Sequence, residues 1–208
     1  MSELYKIAFW LAVFTIIYNI VEGVVSTFLG FEDESLTLFG FGADSFIEVI
    51  SGLGIAHMII RIKKNPDSKR DEFERTALRI TGYAFYLLVF ALVATSLYNL
   101  WINHKPVTTF WGIIISILSI IVMWILVIWK RKVGKDLNSE PILADANCTM
   151  VCIYMSVILL LSSGIYELLK IPYIDSLGTL ALSYFAFKEG KECFEKSKND
   201  AYCGCKKC

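Results

Sequence analysis

Apolar residues along this chain fall into six long runs, with the charged residues pushed into the gaps between them. The runs lie at about Ile7–Gly30, Leu36–Ile62, Leu78–Ile102, Val107–Trp129, Ile142–Leu169 and Ile171–Phe187. A helix rising ~1.5 Å per residue needs ~20 apolar residues to cross a hydrocarbon layer ~30 Å thick. The first five runs meet that length. The sixth is shorter and opens at Pro172, a favoured first-turn residue. The pattern predicts an all-α membrane protein with six transmembrane helices. It makes residues 1–190 one transport-type domain and residues 191–208 a short polar tail.

Composition agrees: 56% of the 208 residues are hydrophobic, against ~45–50% in soluble domains. The formal net charge is zero, so only its distribution informs. Arg61, Lys63, Lys64, Lys69, Arg70, Arg75 and Arg79 flank the second gap, and Lys130, Arg131, Lys132 and Lys135 the fourth. The alternate gaps carry Glu32, Asp33 and Glu34, then single lysines at Lys105 and Lys170. By the positive-inside rule the basic gaps and both termini face the cytoplasm, so a multi-pass protein of the cytoplasmic membrane is expected. The first run is too long for a signal peptide and has no small-residue cleavage site. No phosphate-cradling glycine loop, nucleotide motif or catalytic triad is present. An enzyme, an ATP-driven pump and a nucleic-acid partner are not expected.

Charges inside a membrane span are costly and therefore point to function. Asp44 and Glu48 lie four apart in Gly42-Ala43-Asp44-Ser45-Phe46-Ile47-Glu48, stacked on one helix face. Like charges there repel unless a cation joins them; the bland alternative is a protonated or water-facing pair. Cys148 and Cys152 repeat the spacing in the fifth run. Alone they read as small hydrophobes. Counted from the span ends at 1.5 Å per residue, both pairs fall near the middle of a ~30 Å layer. Two carboxylates and two thiols at one level suit a zinc-like ion better than magnesium or calcium.

Three stretches then carry a family resemblance. Tyr18-Asn19-Ile20-Val21-Glu22-Gly23 resembles the first helix of the cation diffusion facilitators. Gly40-Phe41-Gly42-Ala43-Asp44-Ser45-Phe46-Ile47-Glu48 resembles the second, and Ala144-Asp145-Ala146-Asn147-Cys148 the fifth. That family's six-helix, dimeric members export zinc and related divalent metals, usually against protons. The resemblance implies a secondary efflux transporter, a homodimer, and a metal site of Asp44, Glu48, Cys148 and Cys152. The cysteines stand where the family usually has histidine and aspartate, which softens the site and admits zinc, cadmium, mercury or copper. Glu22 is implied as a gate or proton relay and Asp145 as a residue that strips water at the mouth; His57, near the cytoplasmic end of the second run, reads as an entry ligand or, more often for such a histidine, as a surface or packing residue. The sequence reads as a short form without the family's folded cytoplasmic domain. In its place Cys193, Cys203, Cys205 and Cys208 suggest a metal-capturing tail. Two rival functions remain open: a membrane thiol–disulfide protein using Cys148 and Cys152, and a metal sensor or buffer without flux.

Overall fold

The computed structural model describes residues 2–65, 72–171 and 173–198. Lys69, Arg70, Pro172 and the tail residues Cys203, Cys205 and Cys208 lie outside them. The described residues form six helices: α1 (Ser2–Glu32), α2 (Leu36–Lys64), α3 (Glu72–Ile102), α4 (Phe110–Asp136), α5 (Glu140–Leu169) and α6 (Tyr173–Lys198). The protein is an all-helical, multi-pass membrane protein, and α1 to α5 are each long and apolar enough to span a bilayer. α6 is not among those five. Its apolar part ends at Phe187, while the helix itself runs on through Lys188, Glu189, Lys191 and Glu192 to Lys198. Cys193, expected in a loose tail, therefore sits on a helix, buried beside Ile47, Phe85 and Ala186.

Two tight connections fix neighbouring helices antiparallel. At the end of α1, Ser35 N–H bonds to Gly30 O at 2.9 Å, with Glu34 in the left-handed region at φ 55°. At the end of α4, Ser139 N–H bonds to Gly134 O at 2.9 Å, with Asn138 at φ 47°. Both are Schellman closures. The serine that ends each closure is also the N-cap of the next helix, so the chain reverses in three residues. The α2 start is further pinned from α6: Asp175 accepts from Ser35 Oγ at 2.7 Å and from Leu36 N–H at 2.8 Å. That satisfies orphan donors of a helix N-terminus.

α1 packs chiefly on α2, α3 on α6, and α4 on α5. The exterior is apolar, with Trp10, Phe31, Leu87, Phe90 and Trp101 exposed, while Ser26, Thr81, Ser96, Ser116, Ser119 and Ser156 are buried. This inverts the pattern of a soluble protein, as lipid requires. Without a hydrophobic drive between helices, association relies on close approach of small residues and interhelical hydrogen bonds. Ser156 Oγ donates to Ser119 Oγ at 3.0 Å between α5 and α4, and Ser96 Oγ to Ser176 O at 2.8 Å between α3 and α6.

The α1–α2 seam is closest at glycine. A Cβ on Gly42 would lie 2.5 Å from Thr27 N and 3.0 Å from Ser26 C, both backbone atoms that cannot swing aside. Gly42→Ala is accordingly expected to destabilise the protein by about 1–3 kcal/mol through overpacking. A thermal scan in detergent checks this, with Gly164→Ala as the control because nothing lies within 4 Å of its Cβ position.

Candidate metal site

The α1–α2 and α4–α5 pairings bring α2 and α5 face to face around Glu48. Cys152 Sγ on α5 donates to Glu48 Oε1 at 2.7 Å. Asn19 Nδ2 on α1 donates to Glu48 Oε2 at 2.9 Å. Both oxygens of this carboxylate are thus held, from two different helices. Cys152 also packs among Met123, Leu126, Val127 and Ile153, which fixes its rotamer against α4.

One turn away, Asp44 is 3% exposed and its Oδ1 has no hydrogen-bond partner. Glu22 on α1 is buried as well; Ser45 Oγ donates to its Oε2 at 3.1 Å, while its Oε1 has no partner. Asn19 Oδ1, close by, is in the same condition. A buried, unpaired oxygen costs roughly 1–3 kcal/mol, so such a concentration at one level calls for a reason. A cation, or protons on the carboxyl groups, would supply it.

The four residues marked by the sequence are not drawn into one shell. Cys148, half-buried, accepts a hydrogen bond from Lys196 Nζ of α6 at 3.2 Å instead of facing Glu48. Among the described residues, no three histidine, cysteine, aspartate or glutamate side chains come within reach of a single ion. Glu48 and Cys152 meet, Asp44 is stacked on the same face of α2, and Cys148 is engaged elsewhere.

A cavity of about 110 Å³ runs from this level toward the end of the molecule that carries the basic turns. Glu48, Cys152 and Asn19 line its inner end; Glu74, Lys130, Asp145 and Lys196 line its other end. Cys148, Glu189 and Cys193 lie along its wall. At Glu189, burial, with Glu192 adjacent, pushes the carboxyl up to about 7.

Asp145, marked by the sequence as a mouth residue, accepts from Lys130 Nζ, whose two approaches measure 3.0 and 3.1 Å. Thr149 Oγ1 accepts from the same amine at 2.9 Å. Lys130, counted above among the loop charges, is in fact on α4 and 2% exposed. His57 sits against the Phe73 ring at 4.8 Å between centroids, and it is not among the cavity's lining residues. Arg61, also counted as a loop charge, makes a two-armed pair with Glu74 across α2 and α3, at 2.6 and 2.9 Å.

Sequence reading passed over Asn19, Glu189 and Lys196. Asn19 carried a signal: it lies three residues before Glu22, on the same face of α1. Lys196 carried none, because its role depends on α6 continuing as a helix past its apolar part.

An acidic and a sulfur side chain meet across α2 and α5, inside a bundle whose exterior suits lipid. Residues 7–199 match the family model of the cation efflux transmembrane domain. That match takes in all of α2 to α6 and most of α1, and the chain belongs to the cation efflux family, the cation diffusion facilitators, as a cation efflux transporter.

Proposed function

We propose that the chain exports a soft or borderline divalent metal, zinc or cadmium in character, in exchange for protons. The ion would be held by Asp44, Glu48, Cys148 and Cys152. The observation that carries this reading is the contact between Cys152 of α5 and Glu48 of α2 at the inner end of the cavity. Sulfur beside carboxylate selects for zinc-like over magnesium-like ions. Carboxyl and thiol groups must lose protons as the metal binds, so loading and proton release are linked in the site itself. Glu22, which accepts from Ser45 Oγ on the α1–α2 seam, would relay those protons.

By the positive-inside rule the basic turns face the cytoplasm. The cavity then opens the site to the cytoplasm, and the glycine-tight α1–α2 seam closes the opposite side. Export follows from alternation between this arrangement and one in which that seam parts. A homodimer in the cytoplasmic membrane completes the reading, as the family implies. The thiol–disulfide alternative has less support, since the Cys152 thiol meets Glu48 and Cys148 meets Lys196.

Metal uptake into proteoliposomes tests the proposal, with Zn²⁺ and Cd²⁺ offered to the wild type, Asp44→Ala and Cys148→Ser/Cys152→Ser. Flux should be lost in both variants and kept when Cys203, Cys205 and Cys208 are changed to serine. Wild-type flux in the double-cysteine variant would overturn the ligand set. Metal binding without flux in the wild type would favour a sensor or buffer.

A further inference from the structure

Lys196 is the unusual element of the cavity wall. Its side chain is 9% exposed, and its amine donates to Cys148 Sγ at 3.2 Å and pairs with Glu192 Oε1 one helical turn back at 2.8 Å. It reaches α5 from a part of α6 beyond the apolar run, between Glu192 and the last helical residue, Lys198. A buried ammonium next to a thiol assigned to metal coordination occupies the ground a metal would take. While it accepts this bond, Cys148 does not complete a three-ligand group with Glu48 and Cys152. A divalent cation beside Cys148 would also face a like charge at close range. The lysine stem is flexible, and Glu192 on its own helix offers a resting place. Letting go of Cys148 therefore does not leave the amine without a carboxylate.

We propose that Lys196 is a tethered cation that holds Cys148 out of the metal site and gives way when metal arrives, so that the α6 terminus sets the transporter's affinity for its ion. This rests on Cys148 being a metal ligand. Two conditions alternate at one sulfur. In the first, the ammonium holds Cys148, and Glu48 and Cys152 meet without it. In the second, the amine rests on Glu192, and Cys148 joins Asp44, Glu48 and Cys152. Metal entry drives the first toward the second, and return of the amine to Cys148 weakens the grip on the ion before release. Such a latch exchanges tightness of binding for turnover.

The test measures Cd²⁺ binding to detergent-solubilised full-length protein, read by the thiolate-to-metal absorption band and by equilibrium dialysis, alongside Cd²⁺ flux. Lys196→Met keeps the apolar stem and removes the charge; Lys196→Gln is a second neutral variant should the first fold poorly; Lys196→Arg keeps the charge. Both neutral variants should bind Cd²⁺ about tenfold tighter or more, the scale of losing one charged hydrogen bond that competes with the metal. Their KM for flux should fall, and kcat should fall with it. Lys196→Arg should stay near the wild type. In a Cys148→Ser background the neutral variants should change Cd²⁺ affinity little, because the atom they release is gone. Equal tightening in both backgrounds, or lower kcat with unchanged affinity, overturns the latch and leaves the proposed transport site standing. Cys148→Ser binding Cd²⁺ as tightly as the wild type removes Cys148 from the site, and the latch with it.

Discussion

Glu48→Gln is expected to reduce metal flux into proteoliposomes by ~100-fold or more, with the melting temperature in detergent undiminished. The size follows from its place: residues that merely orient a metal ligand cost ~10–100-fold when replaced, and a ligand itself should cost at least the upper figure. The fold should survive for a separate reason. Glutamine has the same shape and can accept the Cys152 hydrogen bond through its amide oxygen, its NH2 donating to the otherwise unpaired Asn19 Oδ1 once that amide turns over, and it removes a carboxyl group that burial penalises. Asn19→Ala supplies a graded comparison. It removes the amide that fixes Glu48 Oε2 at 2.9 Å but leaves the carboxylate. Flux should drop by roughly 10–100-fold, with the larger part in affinity. Equal flux in Glu48→Gln and wild type would show that the carboxylate at the centre of the site has no part in transport.

The second large effect concerns stability. Lys130 and Asp145 form a nearly dry ion pair between α4 and α5, with Thr149 as a further acceptor. Asp145→Ala leaves the Lys130 amine buried with a hydroxyl as its remaining partner among these groups. The expected loss is about 3–5 kcal/mol, the cost of stranding a buried charge. Replacing both, as Lys130→Met/Asp145→Leu, should restore most of it, since an apolar pair of similar volume needs no compensation. Denaturation in mixed micelles, followed by tryptophan fluorescence, checks the cycle. The exposed pair Lys6–Glu3 is the control; its removal should leave the melting curve unchanged, as screened surface pairs contribute little. If Asp145→Ala melts like the wild type, the amine has found water through the cavity and the pair is not a structural lock.

The difference between these two lysine environments also marks what the amino-acid pattern can and cannot disclose. Hydropathy reads the spans well because lipid imposes one rule on every residue facing it. The Asp44–Glu48 and Cys148–Cys152 repeats are equally legible, since a spacing of four always shares a helical face. Lys130 looks the same as Arg131 in such a reading, yet one is buried against Asp145 and the other is exposed. Only the crossing of α4 on α5 separates them. α6 runs on past its apolar part for a related reason. Its residues after Phe187 are mostly polar, which suggests a tail, but the helix continues because Cys193 and Lys196 find buried positions against neighbouring helices. The engagement of Cys148 by Lys196 depends on that continuation and could not have been foreseen. His57, attractive as a lone histidine in a span, lies beside Phe73 on the α3 side of α2, a contact no spacing along the chain encodes.

Carboxylate oxygen from α2 and sulfur from α5 must bind the same ion if the account is right. X-ray absorption at the metal edge of the Zn²⁺-loaded protein, with Cys203, Cys205 and Cys208 changed to serine, measures this directly. A shell mixing sulfur near ~2.3 Å with oxygen near ~2.0–2.2 Å is predicted, its sulfur lost in Cys148→Ser/Cys152→Ser and its oxygen reduced in Glu48→Gln. A sulfur shell that persists in the double-cysteine variant, or a shell without sulfur in its parent, would contradict it.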